Sequence, residues 1–87
     1  MPNQKEVVSA AQHAPVALQK LVNSLSHDEL ATLVCARAGN TATLAWYITE
    51  LYQSRAIACY AENRIPQAVT ATAFSEEAHR LYEDARG

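Results

Sequence analysis

From Thr41 to Asn63 the chain contains neither glycine nor proline. Nothing there interrupts a helix for about six turns. Gly39 punctuates the chain just before it, and Asn40 or Thr41 offers a side-chain oxygen of the kind that caps a helix N-terminus. The stretch also holds the single Trp, three of the four Tyr and one of the two Cys. On a helical wheel Leu44, Ile48, Leu51, Tyr52, Ala58 and Cys59 share one side, the expected core stripe, and Arg55 falls among them. Trp46, Ile57 and Tyr60 fall elsewhere, near Glu50 and Gln53, where a surface helix is normally polar. Such a helix is apolar on two sides. Either other helices of the same chain meet both strips, or the second strip is an assembly surface.

Length bears on that choice. Eighty-seven residues make one domain, spanning 1–87, with one modest core and few helices to cover a central one. Small chains often supplement such a core by oligomerising. Seventeen Ala against two Gly favour helix throughout, and no alternating run or Asn-Gly turn signals a strand. The expected fold class is therefore all-α: a small bundle of four to five helices, with a long central helix at about 41–63 and an antiparallel C-terminal helical hairpin.

Local signals place the remaining helices. Asn3 can cap a first helix running to about Ala14. Val7, Ala11, Ala14, Leu18, Leu21 and Leu25 continue one apolar stripe across Pro15, so helices one and two are either a single kinked helix or two, with Pro15 opening the second. The restriction that proline places on its predecessor favours the break. Ser26 followed by Glu29 is a capping box, and Leu25 and Leu30 are spaced as a hydrophobic staple. The helix it opens runs to about Ala38, with Leu30, Leu33, Val34 and Arg37 along one side. Pro66 can open the last helix, in which Ala71, Phe74, Ala78, Leu81, Tyr82 and Ala85 make the apolar side and Glu76–Arg80 an i,i+4 ion pair. The β-branched run from Val69 is its weakest helical part.

The motifs of catalysis are missing from the sequence. His13, His27 and His79 lie on different elements with no helical zinc spacing, and two glycines leave little for a phosphate-cradling loop. Cys35 and Cys59 have no CxxC partner and read as buried free thiols. No enzyme, cofactor or metal is expected. Net charge is −2 and the seven Lys and Arg are scattered, so nucleic acid is not the expected partner. No run approaches the length of a membrane span, and the N-terminal residues lack the order of a secretory signal, which points to the cytoplasm.

Two short stretches resemble known families. Ala38-Gly39-Asn40-Thr41-Ala42-Thr43-Leu44-Ala45-Trp46-Tyr47-Ile48 is similar to the turn and recognition helix of TetR-type proteins, in its Ala-Gly, its Thr-Leu and its aromatic pair. That resemblance implies a DNA-binding transcriptional regulator with a helix-turn-helix at about 30–54. The chain departs from it by one residue between the Gly and the Thr-Leu pair, and Thr41 to Ser54 contains no Lys or Arg to meet phosphate or base edges. Leu25-Ser26 with Glu29-Leu30-Ala31 is similar to a segment of the small Hha-like nucleoid modulators, which bind a DNA-binding partner protein. Neither stretch covers enough of the chain to name a family.

The leading expectation is a non-enzymatic protein–protein interaction module, a small regulator, adaptor or inhibitor acting as a homodimer. Its interface is expected at Trp46, Glu50, Gln53, Ile57 and Tyr60. The rivals are the DNA-binding regulator and a small-ligand site among Tyr47, Tyr52, Arg55 and Tyr82.

Overall fold

The computed structural model describes residues 11–36 and 38–87, and every regular element among them is helical. The expected first helix therefore lies mostly outside the described residues, as do Val7 and Arg37. Its last turn, at residues 11–13, is present and ends in a bend at Ala14. The chain breaks there rather than kinking. Pro15 takes an extended conformation (φ −55°, ψ 149°) as the N-cap of α1, Val16–Asn23, one position earlier than an opening helical residue. Gln19 steadies the break by donating from Nε2 to the carbonyls of Gln12 (3.1 Å) and Ala14 (2.9 Å).

The capping box forms as expected and opens α2, His27–Cys35. Ser26 Oγ accepts from the Glu29 backbone N–H at 3.2 Å, while Glu29 Oε1 accepts from the Ser26 N–H at 2.9 Å. This helix stops about three residues short of the expected Ala38. Then α3, Thr41–Ala61, starts at Asn40, whose side-chain oxygen accepts from the Thr43 N–H at 2.9 Å.

The end of α3 is a Schellman motif. Arg64 N–H donates to Cys59 O at 2.8 Å, Asn63 N–H to Tyr60 O at 3.0 Å, and Asn63 holds φ 58°. Asparagine tolerates that left-handed geometry better than most residues. The helix thus closes at Ala61, two residues before the expected end. After it comes α4, Ile65–Arg86, with Pro66 in its first turn. Its β-branched start is helical, and the Thr70 and Thr72 hydroxyls donate to the carbonyls of Pro66 and Ala68 one turn back.

The pairing of α3 with α4 is the frame of the molecule. Trp46 meets Tyr82, Thr49 meets Ser75 and Tyr52 meets Phe74, so one helix number falls as the other rises and the hairpin is antiparallel. Small residues line the seam: Ala45, Thr49 and Ala56 on α3, and Ala68, Ala71, Ser75 and Ala78 on α4, all buried. Their size lets the backbones approach closely, as the Ser75 hydroxyl shows by donating across the seam to Thr49 O at 3.0 Å.

Against this hairpin pack α1, which touches both of its helices, and α2, which touches α3. Leu18, Leu21, Leu25 and Leu33 join Leu44, Ile48 and Tyr52 in the core. Tyr52 is fully buried; its hydroxyl donates to Leu21 O at 2.9 Å and its ring meets Phe74 edge-on, centroids 5.2 Å apart. The core stripe of α3 differs in part from the wheel. Ala58 is exposed and Leu51 only partly buried, while Ala45, Thr49 and Ala56 take buried places. Cys59 is buried as expected, but Cys35 is exposed.

Candidate functional site

The five residues expected at an interface are spaced 4, 3, 4, 3 along α3, so they form one stripe, and all five are exposed. Large apolar side chains stand out in it: Trp46 is 42% exposed, Ile57 64% and Tyr60 50%. Trp46 is not bare, however. Tyr82 lies against it with ring centroids 5.2 Å apart, and Arg86 stacks 5.6 Å over the far ring. The indole is thus partly covered by its own chain and partly open.

Sequence reasoning missed the half of this surface that belongs to α4. Ile65 (44% exposed) and Val69 (54%) share a 4, 3, 4, 3 stripe with Thr72, Glu76 and His79. Between the two stripes runs an open groove of about 500 Å³, walled by Gln53, Ile57 and Tyr60 on one side and Thr72, Glu76 and His79 on the other. The signal was present in the spacing of Ile65 and Val69. It was hidden because apolar residues at the start of a helix read equally well as core.

The electrostatics of the groove are simple. Glu50 and Glu76 are exposed on the two stripes, neither of which carries a Lys or Arg, and the α4 stripe continues beyond His79 to Glu83 and Arg86. His79 Nε2 lies 3.5 Å from Glu83 Oε1, and Arg86 reaches the same carboxylate at 3.7 Å. Glu83, rather than Glu76, thus collects the ion pairs of α4; among the described residues the expected Glu76–Arg80 bridge does not form.

A second open groove, of about 590 Å³, lies on the other side of the hairpin, with Arg55, Arg64, Gln67, Thr70 and Phe74 in its walls. Each arginine there already has a carboxylate. Arg55 bridges from α3 to Glu29 on α2, and Arg64 pairs with Glu62 at 3.5 Å. Arg55 also stacks over the Tyr52 ring, 4.7 Å from its centroid. Burial pushes the Tyr52 phenol above its ordinary value of 10.0, with the Arg55 guanidinium opposing the rise.

The four residues considered for a small-ligand site are engaged separately. Tyr52 is bonded to α1, Arg55 to α2 and Tyr82 to Trp46, while Tyr47 packs half-buried against the core. As for a helix-turn-helix, the exposed stripe of α3 presents Trp46, Glu50 and Gln53, and the first arginine along that helix, Arg55, is held by Glu29. Among the described residues no three His, Cys, Asp or Glu are grouped to hold a metal ion, and no helix is long and apolar enough to cross a membrane. No protein-family model, curated protein or solved structure matches the chain.

Proposed function

We propose that this protein is a non-enzymatic interaction module of the cytoplasm, a small regulator, adaptor or inhibitor that works by binding protein and acts as a homodimer. Its binding surface is centred on Trp46, Glu50, Gln53, Ile57 and Tyr60. One observation supports the reading: among the described residues, both helices of the hairpin keep large apolar side chains exposed, Trp46, Ile57 and Tyr60 on α3 and Ile65 and Val69 on α4. Large aromatic and aliphatic anchors beside a groove are what protein interfaces use. The lack of basic residues along the α3 stripe makes phosphate a poor partner for this surface, and the arginines of the other groove are each paired with a carboxylate.

A Trp46→Asp/Ile57→Asp double variant tests the proposal. The substitutions fall on exposed positions, so helicity by circular dichroism is expected to persist. Sedimentation should then report a monomer where the parent is a dimer, and proteins captured from the native host by the parent should be lost. A variant that keeps its fold, its sedimentation and every partner would show the stripe to be inert.

A further inference from the structure

We infer that two copies meet at the closed end of the α3–α4 hairpin, with a two-fold axis beside Ile57, Tyr60, Ile65 and Val69. This rests on the self-association proposed above and adds its location and orientation.

The apolar part of this exposed surface is concentrated at one end. Ile57, Tyr60, Ile65 and Val69 all lie within four residues of the helix ends at Ala61 and Ile65, or roughly 6 Å along the axes. Glu50 and Glu76 are each eleven residues from those ends, roughly 16 Å away and level with each other. Trp46 and Glu83 are farther still.

Charge then selects the orientation. In an isologous pair, residues beside the axis face their own equivalents. An axis at mid-hairpin would set Glu50 and Glu76 against their counterparts, with no Lys or Arg in either stripe to neutralise them. An axis at the closed end sets aliphatic and aromatic side chains against their equals and leaves the carboxylates apart in water. The charged groups nearest that end, Glu62 and Arg64, already pair with each other.

The area is sufficient for a modest dimer. The four side chains expose roughly 400 Å² per copy, so with a polar rim the pair buries about 1,000 Å² in total, at the lower edge of specific interfaces. An interface of that size matches a weak two-fold pair, and the dimer should be concentration-dependent.

The test uses the full chain with the exposed Cys35 changed to Ser, carrying either Val69→Cys or Glu50→Cys. Sedimentation of the Cys35→Ser parent across a concentration series is expected to show a reversible dimer, and Val69→Asp should raise its dissociation constant at least about tenfold. On mild oxidation Val69→Cys is expected to form a covalent dimer and Glu50→Cys is not. Cross-linking through Glu50→Cys, or a dimer that Val69→Cys does not trap, overturns the placement while leaving self-association standing. A parent that stays monomeric at every concentration overturns the homodimer itself.

Discussion

Replacing Tyr52 by Phe removes one oxygen from the centre of the molecule and leaves the ring in place. That hydroxyl donates to Leu21 O at 2.9 Å, tying α3 to α1 in a site closed to water. Its loss leaves Leu21 O with only the 3.3 Å bond from the Ser24 N–H. A buried hydrogen bond of this kind is worth about 1 kcal/mol net, and the surviving acceptor bond keeps the penalty from growing much larger. For a chain of this size about 1 kcal/mol lowers the melting temperature by roughly 4–8 °C.

The pH dependence gives a second, sharper expectation. Burial raises the folded-state pKa of Tyr52 above 10.0, so the folded state holds the phenol proton more tightly than the unfolded state. The stabilisation is complete below pH 10 and is lost as pH rises from there toward the folded value. The loss approaches about 1.4 kcal/mol per pH unit. Tyr52→Phe has no such proton to lose. The stability gap, measured by urea unfolding under circular dichroism, should stand at about 1 kcal/mol at neutral pH and narrow as pH rises above 10. Equal stability at neutral pH would show that the hydroxyl makes no bond of consequence. A gap that stays constant through the alkaline range would show that burial does not hold the proton.

Two further substitutions probe the frame itself. Ala78 is fully buried in the small-residue seam, so Ala78→Leu should force α3 and α4 apart and cost about 1–3 kcal/mol or more in chemical denaturation. Asn63 occupies the left-handed position of the Schellman motif. Asn63→Gly should therefore stabilise the protein by a few tenths of a kcal/mol, and Asn63→Val should destabilise it by about 1 kcal/mol, both readable as shifts in thermal unfolding.

Local chemistry written in the sequence set where the helices begin. Ser26 with Glu29, Asn40 with the Thr43 amide, and Pro66 in a first turn each depend on atoms a few residues apart. Such signals need no knowledge of the rest of the fold. The break at Pro15 and the left-handed stop at Asn63 belong to the same class, although the sequence reading extended the long helix two residues past Ala61.

Only the tertiary structure decided which sides of α3 are inside. Apolar residues are spread almost evenly around that helix, so its pattern placed Leu44, Ile48, Tyr52 and Cys59 inside but left the limits of the buried face open. The choice fell to α4, whose alanines and Ser75 form a seam that only small residues can meet closely. That demand turned Ala45, Thr49 and Ala56 inward in place of Ala58 and much of Leu51, and left Ile57 and Tyr60 outside. The partner of Arg55 was settled in the same way. Glu29 is 26 positions distant in sequence, and only the packing of α2 against α3 brings the two charges together. Helix termini are fixed by nearest neighbours along the chain, whereas burial is fixed by the size of whatever the fold places opposite.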